Sequence, residues 1–167
     1  MFERFFCVGK TFPLFLIIGL FTGVLIVQSC KHQTPPEMIA QGFLDQVNTA
    51  VADRSIRAMN ELVSPDYHDT NNRNHRDVVG LGSAYLIRSK SLHLFTDLVS
   101  AQSISDTSIQ FRTLAAFAAT PVDNKSMLPD INADFYWFNI ELIKENGDWK
   151  VVSAAWQQAM LEDFLQQ

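Results

Sequence analysis

Six consecutive residues, Ser64-Pro65-Asp66-Tyr67-His68-Asp69, bring together a phenol, an imidazole and two carboxylates. Such groups do acid–base work. A carboxylate raised in pKa by apolar surroundings takes a proton, and a phenol donates to charge developing on a substrate oxygen. Backbone geometry divides the six. Ser64-Pro65-Asp66 has the composition of a turn that ends a helix. If the next residues are extended, Tyr67 and Asp69 point one way and His68 the other. Asp69 is then the candidate base, and Tyr67 or Tyr85 the candidate hydrogen-bond donor. A register shift of one residue would turn Asp69 to the opposite face. His68, Asp69 and His75 are metal-binding types, but their spacing across a loop matches no established ligand pattern, so no metal is expected. No Gly-rich phosphate loop or nucleophile elbow is present, and no cofactor is expected.

The elements that must position these residues are written in the surrounding periodicity. Thr34-Pro35-Pro36-Glu37 reads as a helix start, with Thr34 as cap, Pro35 at the first helical position and Glu37 reaching back. Ile39, Phe43, Val47, Ala50 and Val51 form one apolar stripe through about residue 53. A shorter helix through Ile56, Met59, Leu62 and Val63 is stopped by Pro65. Asn74 and Asp77 cap a third helix whose inner face is Val78, Leu81 and Tyr85. From Ser91 onward the pattern becomes strand-like in four long segments, with Glu145-Asn146-Gly147-Asp148 as the turn between the last two. Residues 121–130 form a loop with two prolines, and the tail from Met160 suggests one short helix. Asp97 and Arg112, on neighbouring predicted strands, are placed to pair across the sheet. Helices followed by strands predict an α+β domain with helices on one face of an antiparallel sheet.

The front of the chain reads differently. Arg4 and Lys10 precede an apolar run from Phe12 to Val27, the plan of a secretory signal. Val27-Gln28-Ser29-Cys30 resembles the lipobox of bacterial lipoproteins. That resemblance implies a signal peptide over residues 1–29, a lipid-bearing Cys30 and a short tether over 30–35, with the domain at 36–167. The alternative is an uncut anchor helix, since residues 11–30 approach the ~20 needed to span a bilayer. With Cys7 removed and Cys30 acylated, no disulfide is expected. Lys31 after the cysteine implies, by resemblance to enterobacterial sorting, the periplasmic face of the outer membrane. The chain's formal charge of −5 becomes one unit more negative on loss of residues 1–29, which disfavours nucleic acid as a partner.

The order of elements, with "ADRSIRAMNELVSPDYHD" and the closing "NGDWKVVSAAWQ", resembles the nuclear transport factor 2-like superfamily over residues 36–159, and more narrowly a group of proteobacterial lipoproteins of this fold. The superfamily includes SnoaL-like cyclases and ketosteroid isomerase. The resemblance implies a curved sheet closed by helices into a cone with an apolar pocket. Phe43, Tyr85, Tyr136, Phe138 and Trp156 are the candidate lining residues, and Asp69 falls near the catalytic aspartate of those enzymes. No second acid matches the isomerase's oxyanion site; Gln110, Arg112 and Thr113 stand in the corresponding segment. The opposite strand face, with Phe135, Trp137, Asn139 and Glu141, is a candidate homodimer surface. The leading expectation is a membrane-tethered domain that binds a small apolar ligand or a protein partner without catalysis. The alternative is a lyase, isomerase or hydrolase with Asp69 as base.

Overall fold

The computed structural model describes residues 34–167. Its first helix, α1 (Pro36–Ala52), begins one residue later than its sequence suggests and without the expected cap. Pro35 precedes another proline, which forces it out of the helical region; its ψ is 140°. Pro36 is therefore the first helical residue, Thr34 lies outside the cap position, and no side chain caps this end. Helix α2 (Ile56–Glu61) is capped by Ser55 and ends before Leu62. Helix α3 (His75–Arg88) starts with a reciprocal capping box of Asn74 and Asp77. Helices α2 and α3 meet closely at Gly82, where a Cβ would stand 2.7 Å from Met59 Cε.

Four strands follow: β1 (His93–Ser105), β2 (Ser108–Ala118), β3 (Ala133–Glu145) and β4 (Asp148–Gln158). They form one antiparallel sheet in the order β1-β2-β3-β4. Asn146 and Gly147, both at positive φ, make the tight turn between β3 and β4. Register shifts interrupt β1 near Val99 and β4 near Val152, the kind of irregularity that bends a sheet. Residues 62–68, which turn at Pro65-Asp66, hydrogen-bond to the edge of β4 at two positions. The Val151 N–H donates to Leu62 O, Ser64 N–H to Val151 O, and His68 N–H to Val152 O, at 2.9–3.0 Å.

Helix α1 packs its Ala40, Phe43 and Leu44 on Ile109, Phe111 and Leu142 of the front face. The back face is also covered. A 3-10 helix (Lys125–Asp130) and a short C-terminal helix, α4 (Leu161–Leu165), bring Leu128 and Phe164 onto Leu114, Ala116 and Trp137. Phe135, read from sequence as a partner-facing residue, packs on Phe164 with ring centroids 5.4 Å apart. The expected Asp97–Arg112 pair is not formed. The register sets Asp97 opposite Leu114, and the extra residue at Val99 moves Arg112 a further position away, opposite Ser100. Asp97 instead pairs with Lys125 at 2.6 Å, and the Arg112 guanidinium stacks 3.8 Å from the Trp137 ring centroid.

Candidate functional site

Between the front face and the helices lies a cavity of about 420 Å³, within the range of small-molecule sites. Its shape follows from bulky side chains meeting at an angle. Phe117 touches Tyr85 and Tyr136 edge-on, at 5.4 and 5.9 Å between centroids, and Phe138 tilts against Trp156 at 6.0 Å. Rings so arranged brace one another, and the space is enclosed by the sheet and residues of all three helices. Phe43, Tyr85, Tyr136, Phe138 and Trp156 all line the cavity, together with aliphatic residues such as Val47, Leu94 and Ile140. Thr96 and Thr113 are polar interruptions of the wall. The Thr113 hydroxyl is committed to the Asp97 carbonyl at 2.9 Å, whereas Thr96 Oγ1 accepts from Asn48 Nδ2 at 3.2 Å and keeps its own proton.

The six-residue cluster folds as its alternation requires: Tyr67 and Asp69 are buried together and His68 is exposed. Tyr67 lines the cavity, but Asp69 is not part of the wall. The carboxylate is enclosed by donors. Oδ1 accepts the Asn71 and Arg73 backbone N–H groups at 2.8 and 3.1 Å, while Oδ2 accepts Arg73 Nε at 2.7 Å and the Tyr67 hydroxyl at 3.0 Å. Burial alone would raise the pKa of Asp69. The hydrogen bonds from Arg73, Asn71 and Tyr67 outweigh it and bring the value down to about 2. Burial, followed by the bond to Asp69, pushes the Tyr67 phenol up to about 12. A carboxylate held so low is a weak proton acceptor, and this one closes a loop by an Asx-type turn. Tyr85 is not its partner: that hydroxyl donates to Asp134 at 3.3 Å, and burial raises its pKa.

Sequence reasoning missed Arg73. Its guanidinium lies 3.9 Å from the Trp156 ring centroid while Nε holds Asp69. The Asp69-to-Arg73 spacing is salt-bridge spacing on a helix, but here it spans the turn through Thr70-Asn71-Asn72, with Asn72 at positive φ. The asparagine-rich loop was the available signal. Among the described residues no group of three or more His, Cys, Asp or Glu gathers to hold a metal, and no helix is long and apolar enough to cross a membrane. Cys30 and the expected signal peptide lie outside the described residues.

No protein-family model and no curated protein matches the chain. Solved structures do. An uncharacterized protein with a cystatin-like fold from Caulobacter vibrioides is 14% identical, with TM-score 0.57, over 80% of this chain and 96% of that one. A candidate scytalone dehydratase from Novosphingobium aromaticivorans is 9% identical, with TM-score 0.59, over 74% and 84%. A nuclear transport factor 2-like protein of unknown function from Pseudomonas putida is 15% identical, with TM-score 0.52, over 73% and 84%. At these identities the likeness concerns the fold: a curved four-stranded antiparallel sheet with helices packed on it, the nuclear transport factor 2-like, or cystatin-like, cone.

Proposed function

We propose that this protein is a non-catalytic binding module that takes a small apolar ligand into the front-face cavity and is tethered to the cell envelope by lipid on Cys30. The observation that carries the binding reading is the cavity of about 420 Å³ walled by aliphatic and aromatic side chains, with Asp69 turned out of the wall and its oxygens fully occupied. An apolar wall favours an apolar occupant by roughly 25 cal/mol for each Å² removed from water. A site for acid–base chemistry needs a proton acceptor aimed at the substrate, and Asp69 is aimed at its own loop.

Gentle extraction of the intact protein, followed by mass spectrometry of released small molecules, tests the ligand. A single apolar compound at near-stoichiometric yield is expected, and loss of that compound on filling the cavity by Val47→Phe ties it to the site. Recovery that Val47→Phe leaves unchanged would refute the assignment to this cavity. The tether is tested separately: mass spectrometry of the mature chain is expected to show an acylated Cys30 at its start, and a chain retaining Phe12 to Val27 would refute it.

A second reading, catalysis of lyase, isomerase or hydrolase type, draws on one observation: Tyr67 lines the cavity and its hydroxyl is bonded to Asp69. The dehydratase among the structural neighbours makes elimination the reaction class to assay. In that case Tyr67→Phe and Asp69→Asn would each abolish turnover. A second copy of the chain docking on the back face is the remaining proposal. It has the polar part of that face, around Asn139, to use, because Phe135 and Trp137 are packed against the chain's own C-terminal segment; sedimentation tests it.

A further inference from the structure

Arg73 is held from three directions before any ligand arrives. Its backbone N–H donates to Asp69 Oδ1, its Nε to Asp69 Oδ2, and the flat of its guanidinium rests on Trp156, which lines the cavity. A guanidinium carries five N–H donors in a rigid fork, and only the one on Nε has an acceptor here. The two Nη groups have no protein partner among the described residues, and the side chain is 24% exposed. Asp69 cannot take them, since each of its oxygens already accepts two donors. The result is a fixed pair of uncommitted donors on Trp156, a wall residue, with Arg73 itself just outside the wall.

Building on the cavity-binding reading above, we propose that the ligand is amphipathic, with a carboxylate bound by the Nη groups of Arg73 and an apolar chain lying against Trp156 and into the cavity. A carboxylate is the acceptor whose two oxygens match the guanidinium fork. Because Arg73 is already ordered, little side-chain entropy is lost on binding. Asp69 offsets much of the arginine's charge, so the preference rests on paired hydrogen bonds more than on net attraction. Asp134, bonded to Tyr85, is exposed and its repulsion of an anion is screened. A moderate selectivity follows.

The test titrates the intact protein in phospholipid nanodiscs with decanoate and, separately, with 1-decanol, at a pH that keeps decanoate ionised. Partition into lipid is common to wild type and variant and cancels between them. Wild type is expected to bind decanoate about tenfold more tightly than decanol, and Arg73→Gln to lose most of that preference. Equal wild-type affinities, or a preference that survives Arg73→Gln, overturn the carboxylate assignment and leave the cavity reading standing. Saturable binding of neither probe overturns both. If Arg73→Gln does not fold, Arg73→Lys replaces it; it keeps a positive charge beside Asp69 but cannot present two parallel donors. The preference falls in that variant too, and an undiminished one overturns the assignment.

Discussion

On the back of the sheet, Phe95 and Phe135 close on Phe164, and Leu114 and Trp137 belong to the same buried cluster as Leu128. On the front, Phe117, Phe138 and Trp156 surround a cavity although they touch one another. The two faces are similarly aromatic, so composition does not decide which is solid. The difference lies in what the chain supplies opposite them. The back receives a plug of the right size, Phe164 on a five-residue helix, whereas on the front α1 packs directly on one end of the sheet and α3 meets the other through Tyr85, whose ring stands edge-on to Phe117. A filled face contributes stability through close packing, and a hollow one leaves wall atoms without partners that a guest can supply.

Truncating the plug should have the largest effect. Phe164→Ala removes a fully buried ring from a packed cluster and is expected to cost about 3–5 kcal/mol in urea unfolding. Phe138→Ala on the hollow face should cost clearly less, about 1–2 kcal/mol, because part of that ring already faces empty space. Equal costs would mean that the front is as tightly packed as the back and would remove the basis for the contrast.

Third is a pH effect confined to the front. The folded-state pKa of Asp69, about 2, lies below the ordinary 3.8, so its stabilising contribution is present above about pH 4 and is lost as pH falls toward 2. Asp69→Asn should lower stability at neutral pH and flatten the acid limb of the stability profile. An unchanged limb would show that the loop around Asp69 does not depend on its charge. The smallest effect on stability is expected from Val47→Phe, which fills the cavity: a change within about 1 kcal/mol, accompanied by loss of ligand binding. A large destabilisation there would indicate a front face with no room to spare.

Much of the fold was legible. The apolar stripe of α1, the Asn74–Asp77 cap and the Asn146-Gly147 turn are local signals, each decided by residues within one or two turns of chain. The shared side of Tyr67 and Asp69 followed from simple alternation. Errors arose where a neighbour far along the sequence, or a small register change, decided the outcome. The β1–β2 register places Asp97 opposite Leu114, and one extra residue near Val99 carries Arg112 farther from it; no pattern in β1 announces either. The C-terminal helix was foreseen, but its docking on Phe135 and Trp137 depends on a chain reversal after β4. Arg73 was invisible as a partner of Trp156 because the two are 83 residues apart and meet only through the turn that Asp69 closes.

The run of chain beside β4 has a consequence beyond the site. A strand at the margin of a sheet offers a row of free N–H and C=O groups on which another molecule can pair. Residues 62–68 occupy that row at Val151 and Val152, and the buried Ser64 hydroxyl, bonded to Glu145, fastens them in place. The same short stretch that holds Tyr67 thus blocks the middle of the β4 edge, at Val151 and Val152, against intermolecular pairing, and loosening it would free those groups as a template for aggregation.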